Sequence, residues 1–174
     1  MGRGNKTTEF LKECLSDALL RLMREKSFKN ISIQEIADAA GVGRATWFRN
    51  FANKSEAITF KLVQLWNRWT DEHSVIVHDR FTLANAKDFF QFNFEIGHLL
   101  QVICKSNMQS AIYDAFYQIM MPQYGNSAKE RYQMRFYSYG LFGLLDEWIK
   151  RGFQETPREM VGLFYQVMED RSTL

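Results

Sequence analysis

Residues 31–56, ISIQEIADAAGVGRATWFRNFANKSE, constrain the fold of this chain more than any other stretch. Ser32 and Glu35 have the S-x-x-E spacing of a capping box, in which each side chain satisfies an otherwise unpaired backbone N–H at a helix start. Ile33, Ile36, Ala37 and Ala40 give that helix an apolar side. Gly41 then stands where the chain must leave the helix, and glycine best tolerates the left-handed conformation used there. Val42 can plug the angle between helices, and Gly43 to Asn50 makes a second helix too short to be stable unless packed on its neighbours. Two short helices joined by a tight glycine turn read as a helix-turn-helix, a form that can place its second helix in the major groove of DNA.

A helix that reads DNA needs short polar or basic side chains near its N-terminus. Arg44 can pair with a guanine edge or a phosphate, and Thr46 can meet a thymine methyl or a phosphate oxygen. Gly43 and Ala45 are small enough to let the backbone approach the groove, and Phe48 and Arg49 follow along the same helix. Ser32 and Gln34, on the preceding helix, are candidates at the groove edge. Lys54 adds its charge to the amides of the next helix start, a combination suited to a phosphate. The bland reading is a helical hairpin with Arg44 and Lys54 solvated. The coincidence of capping box, glycine turn, basic helix start and lysine favours the DNA reading.

The charge distribution agrees. Residues 1–55 hold ten Lys/Arg against six Asp/Glu, whereas residues 56–174 hold twelve against fourteen. A positive first third beside a slightly acidic remainder suits a nucleic-acid reader joined to a module that does not touch DNA. The expected division is therefore 1–55 for DNA binding and 56–174 for ligand binding and dimerisation. Cys14 and Cys104 are far apart in apolar helical contexts, which predicts buried thiols in a reducing compartment. No signal-peptide pattern and no apolar run of membrane-span length is present, so the expected location is the cytoplasm or the nucleoid within it, with no membrane partner.

Helical periodicity runs through the whole sequence without strand alternation, which predicts an all-α fold. The first helix is expected over Thr8 to Lys26, with Phe10, Cys14, Ala18 and Leu22 as one apolar stripe beside Leu11, Leu15 and Leu19. Arg3, Lys6 and Lys12 lie at or ahead of its start, within reach of phosphates. Further helices are expected from Lys54 to Ser74, Thr82 to Leu99, Lys105 to Met121, Ala128 to Arg151 and Pro157 to Asp170. Thr156 as N-cap, Pro157 and Glu159 mark the start of the last one, and Gly152 ends the one before it.

The stretch IQEIADAAGVGRATWFRNFANKSEAI resembles the N-terminal domain of the tetracycline-repressor (TetR) family. Ile36-Ala37, Ala40-Gly41-Val42, Thr46, Phe51, Lys54 and Glu56 carry the resemblance over roughly residues 8 to 60. It implies a homodimeric all-helical transcriptional regulator, usually a repressor, released from a palindromic operator by a small ligand. Two positions depart from the pattern. The family's frequent phosphate-contacting tyrosine is Phe48 here, whose role is expected to shrink to packing, and its frequent serine or threonine at the head of the recognition helix is Gly43.

The C-terminal part resembles one subgroup of that family, common in Gram-positive bacteria, through Gly143, Trp148, Gly152 and Thr156-Pro157-Arg158-Glu159-Met160. Gly140 and Gly143 lie three apart on one helix face and permit close approach. Phe136, Leu144, Trp148, Phe164, Val167 and Met168 are the expected apolar contacts of a four-helix dimer interface, against the alternative that they pack within one chain.

The middle helices hold the surplus aromatics. Such stripes are usually core. Yet Phe89, Phe90, Phe92 and Phe94 cannot all face one side of a helix, so a pocket for an apolar or aromatic ligand is the sharper reading. Its candidate lining is Trp66, Trp69, Phe90, Phe94, His98, Tyr113, Phe116 and Tyr117. His73, His78 and His98 lack a metal spacing, and no catalytic triad or phosphate loop is present, so neither a metal, a cofactor nor an enzymatic activity is expected. The reading competing with a DNA-binding regulator is a helical dimeric binding protein without sequence-specific DNA recognition.

Overall fold

The computed structural model describes residues 3–75, 83–120 and 127–169. Among these residues the chain forms α-helices and no strand, as the periodicity predicts. The helices are α1 (Arg3–Glu25), α2 (Ile33–Ala39), α3 (Arg44–Asn50), α4 (Lys54–Glu72), α5 (Leu83–Glu95), α6 (Gly97–Lys105), α7 (Gln109–Met120), α8 (Ala128–Lys150) and α9 (Pro157–Glu169), with one 3-10 turn over Phe28–Asn30. Packing divides the chain into two units. The first holds Met1–Leu65 with Val102–Ala115, and the second Trp66–Gln101 with Phe116–Leu174.

In the first unit α1 packs on α2 and α3, and α2 packs on α3. Leu15, Ala18, Leu19 and Met23 of α1 meet a core that includes Ile36, Ala37, Trp47, Phe51 and Ile58. Phe10 departs from the expected stripe and is 63% exposed. Steps of four residues drift around a helix, so Phe10 falls about 140° from Leu15 at 3.6 residues per turn. Lys61 is buried here because its ammonium is paired: Nζ lies 2.7 Å from Asp17 Oδ1, 3.5 Å from Glu13 Oε1 and 2.9 Å from Gln64 Oε1. Thr59 Oγ1 donates to the Ala111 carbonyl at 3.2 Å, tying α4 to the 102–115 segment of the same unit. Cys14 and Cys104 are not joined in a disulfide, and both are half-buried rather than buried.

The second unit is built on rings. Trp66 stacks on Trp69 at 6.1 Å, and Phe92 meets Trp66 edge-on at 5.2 Å. Trp148 is 1% exposed and lies 5.8 Å from Phe90, 6.0 Å from Phe94 and 4.8 Å from Phe153, while its Nε1 donates to the Glu155 carbonyl. Helix α5 packs on α9, where Phe164 approaches Phe90 at 6.2 Å. The crowded phenylalanines of α5 resolve as their spacing requires: Phe89, Phe90 and Phe92 are buried and Phe94 is 43% exposed.

The single helix expected over Thr82 to Leu99 is instead two, α5 and α6, interrupted at Ile96. The hydrogen bonding carries across this point, since the Ile96 N–H donates to the Phe92 carbonyl and the Leu100 N–H to the Ile96 carbonyl, both at 3.1 Å. The Phe153 ring lies so close to Gly97 that a β-carbon there would sit 2.9 Å from Phe153 Cε2. Phe153 is itself left-handed, with φ of 59° directly after Gly152 at 71°, an uncommon conformation for a bulky residue. The helix expected from Lys105 starts only at Gln109, because α6 runs on to Lys105 and the chain turns at Asn107 with φ of 57°.

Candidate nucleic-acid interface

The turn between α2 and α3 is built as its sequence dictates. Ser32 Oγ accepts from the Glu35 backbone N–H at 3.2 Å, and Glu35 Oε2 accepts from the Ser32 N–H at 2.9 Å, completing the capping box. Lys26 Nζ pairs with Glu35 Oε1. The hydrogen bond from Lys26, followed by those from Ser32, lowers the Glu35 carboxyl from 4.5 to about 2. At the other end Gly41 takes φ of 68°, Val42 N–H donates to Ala37 at 3.0 Å, and Arg21 Nη2 donates to the Ala39 carbonyl at 3.0 Å. These bonds fix where α3 begins. Gly43 is its N-cap without a side-chain bond, and the Gly43 carbonyl accepts from the Thr46 N–H at 2.8 Å.

Helix α3 separates into an anchored side and an open side. Trp47 is 1% exposed and reaches Phe51 at 5.3 Å. Thr46 is also buried, its Oγ1 accepting from Arg49 Nη2 at 3.2 Å and its carbonyl from Asn50 Nδ2 at 2.7 Å. The open side carries Arg44, Ala45, Phe48 and Arg49, all exposed. Phe48 is 59% exposed and lies beneath the Arg44 guanidinium, 5.3 Å from ring centroid to Cζ. Two expectations change here. Thr46 faces inward and holds Arg49, and Phe48 does not pack in the core: Trp47 takes that position, leaving Phe48 on the open face.

The other expected DNA contacts divide as well. Ser32 is exposed, but its hydroxyl is bound into the capping box with Glu35. Gln34 is exposed, its Nε2 donating to Asp38 Oδ1 at 2.7 Å. Lys54 is turned to an internal task. Its Nζ donates to the carbonyls of Phe28 and Ile31, both at 2.9 Å, and lies 4.2 Å from the Phe28 ring centroid. Partial burial lowers its pKa. Lys54 therefore clamps the 3-10 turn onto α4, a role that sequence alone did not suggest.

The aromatic residues expected to line a pocket are not all gathered in one place. Trp66, Trp69, Phe90 and Phe116 are buried in the second unit, where Phe90 joins the Trp148 cluster and Phe116 packs on Phe89 at 5.1 Å. Tyr117 is half-buried with the Arg135 guanidinium 3.7 Å over its ring, and Phe94 and His98 are exposed. Tyr113 is buried in the first unit. Among the described residues, no group of three His, Cys, Asp or Glu could hold a metal ion, and no helix is long and apolar enough to cross a membrane.

The expected dimer residues also divide. Phe136, Gly140, Gly143 and Val167 are exposed, Leu144 is half-buried, and the Met168 side chain lies outside the described residues. Trp148 and Phe164 are corrected to core, since both are spent on Phe90 within one chain. Sequence reasoning missed Tyr132, Tyr139 and Leu163, which are 78%, 59% and 41% exposed. Tyr132, Phe136, Tyr139, Gly140 and Gly143 fall on one face of α8 opposite the buried Met134, Ser138, Leu141 and Leu145. The signal was available as the i, i+4, i+7 spacing of Tyr132, Phe136 and Tyr139.

Comparison with known proteins matches residues 15–56 to the family model for bacterial regulatory proteins of the tetR family. Residues 83–170, just over half of the chain, match the model for a TetR transcriptional regulator C-terminal region. No curated protein sequence matches. Solved structures with a similar fold include a TetR transcriptional regulator from a Rhodococcus species, at TM-score 0.55, 15% identity, and 91% and 92% coverage of the two chains. A tetR-family regulator from Streptomyces coelicolor is similar at TM-score 0.51 and 20% identity, covering 93% of this chain and 84% of the other. A TetR family repressor from a Dietzia species, implicated in biodegradation of n-alkanes, is similar at TM-score 0.50 and 16% identity, covering 94% and 96%. With its α3 anchored by Trp47 and open on the basic side, and with residues 15–56 and 83–170 matched by these two models, the chain belongs to the TetR family of bacterial transcriptional regulators.

Proposed function

We propose that this chain is a repressor that binds a palindromic operator as a homodimer and is controlled by a small hydrophobic or aromatic ligand. The observation that carries this reading is the sidedness of α3, with Trp47 and Thr46 inside and Arg44, Ala45, Phe48 and Arg49 outside. Residues 1–55 are the DNA-reading head in this proposal, and residues 56–174 bind ligand and partner. Arg44 pairs with a base edge, Ala45 lets the helix sit close, and Arg49 reaches a phosphate. Gly43, without a side chain, lets the start of α3 approach the backbone, and Gln34 serves the groove edge. Gly143, Trp148, Gly152 and the Thr156 to Met160 segment support the subgroup with that C-terminal pattern.

The ligand acts by differential affinity: one that favours heads spaced too widely for successive major grooves weakens DNA binding by that preference. Helix α4 supplies residues to both packing units and is the element through which such a change passes. The density of rings in the second unit supports an apolar or aromatic ligand, with Phe94, His98 and Tyr117 as its accessible candidates.

The test is selection of duplexes from a random pool, followed by shift assays at rising salt. An enriched palindrome, bound with a salt-dependent affinity, is the expected result. Arg44→Ala is expected to weaken that complex by about 1–3 kcal/mol per half-site. Selection that enriches no sequence at any salt leaves only the helical binding protein without DNA recognition.

A further inference from the structure

On the open face of α3, Phe48 is an anomaly for a solvent-facing helix of seven residues. It is 59% exposed, it follows Arg44 by one turn, and the Arg44 guanidinium rests 5.3 Å over its ring. Nothing in the first unit's core needs this ring, because Trp47 and Phe51 fill that place at 1% and 2% exposure. Of the other α3 residues able to meet a methyl group, Thr46 is turned inward and Ala45, though exposed, offers a single methyl close to the backbone. A phenylalanine has neither donor nor acceptor, so in a major groove it can recognise one feature only, the C5-methyl group of thymine.

We propose that Arg44 and Phe48 act as one reading pair, Arg44 taking a guanine edge and Phe48 the C5-methyl of a thymine beside it. The inference rests on the proposed operator binding. Residues four apart on a helix are separated by about 6 Å along its axis, which spans one to two base pairs at about 3.4 Å each. With Cζ 5.3 Å over the ring, a cation–π attraction favours the Arg44 conformers that lie beside Phe48, so the two side chains enter the groove together. Phe48 is thereby a specificity-determining residue rather than a phosphate contact, since it lacks the hydroxyl that such a contact needs.

The experiment uses the full-length protein and the operator duplex enriched from the random pool. Each thymine is replaced in turn by deoxyuridine, which removes the methyl and leaves every hydrogen-bonding group in place. For the wild-type protein, one thymine per half-site, within two base pairs of the guanine lost on Arg44→Ala, is expected to show about a fourfold weaker Kd, the equivalent of one buried methyl. For Phe48→Ala, deoxyuridine at that thymine is expected to change nothing, while Phe48→Leu, which keeps an apolar side chain, retains part of the effect. Because Phe48 is exposed, both variants are expected to keep the wild-type circular dichroism and melting temperature. An operator insensitive to deoxyuridine at every position, or a Phe48→Ala variant that keeps the full sensitivity, overturns the reading pair and leaves operator binding standing. Failure to enrich any sequence overturns the operator reading itself.

Discussion

Gly43 and Glu35 show how single residues set the starts of the two short helices, α3 and α2. Gly43 caps α3 with φ of −72° and ψ of 147°, a conformation open to any residue, and a β-carbon there meets nothing within 4 Å. A serine is therefore expected to add the missing cap bond. Gly43→Ser is expected to raise stability by only a few tenths of a kcal/mol, about the difference between these two caps, read as a small increase in melting temperature. A decrease contradicts the geometry of the cap. At the start of α2, Glu35 has its folded pKa lowered from 4.5 to about 2, by its hydrogen bond from Lys26 first and from Ser32 next. A depressed carboxylate stabilises the fold above its unfolded value and loses that contribution as pH falls through its folded one. The stability gap between wild type and Glu35→Gln is accordingly expected to be constant near neutral pH and to close between 4.5 and about 2. Urea unfolding across that range reads it, and a gap independent of pH refutes the assignment. At this scale the Ser32–Glu35 pair was legible because a capping box is local, three residues apart. Lys54 was not, since its two carbonyl acceptors at Phe28 and Ile31 lie more than twenty residues earlier.

Helix existence follows from periodicity and punctuation, which is why α8 and α9 begin where Ala128 and Pro157 stand in the sequence. Thr156 and Glu159 cap α9 as their spacing predicts, with bonds of 2.7 and 3.3 Å. The same S-x-x-E spacing at Ser127 and Glu130 caps α8 and carried an equal signal. What periodicity cannot show is a close approach made from elsewhere. Between α5 and α6 the tight contact is Phe153 against Gly97, and it lies 56 residues further on. Gly97→Ala is expected to destabilise the fold by about 1–3 kcal/mol, because the ring must yield or the helix must shift. In a Phe153→Leu background the same substitution is expected to cost clearly less, since the clash is with ring atoms. Equal costs in the two backgrounds, measured by denaturant unfolding, mean that the two residues do not compete for that space.

An operator with two-fold symmetry needs two heads held at a fixed separation, and a seven-residue reading helix offers too few contacts to bind tightly alone. The molecule's answer is proposed to lie on the exposed faces of α8 and α9, where Tyr132, Phe136, Tyr139, Leu163 and Val167 place large apolar side chains in water. Single exposed hydrophobics are ordinary, but several on one helix face beside Gly140 and Gly143 suit close approach by a second copy. The sequence pointed to this region and mixed its two sides, since Trp148 faces inward and Phe136 outward on one helix, and helical spacing alone does not say which side a partner covers. That difference makes the interface testable. Phe136→Glu with Tyr139→Glu is expected to give a helical monomer in sedimentation velocity, with operator affinity reduced far more than by either Arg44 of a single half-site. Trp148→Ala is expected to cost about 3–5 kcal/mol of stability instead, as truncation of a large buried ring does. A dimer that survives the double glutamate, or a wild-type chain that stays monomeric at micromolar concentration, places the symmetry of the reader elsewhere. Loss of dimer and of tight DNA binding together, with the fold intact, ties the grip of α3 to the exposed faces of α8 and α9.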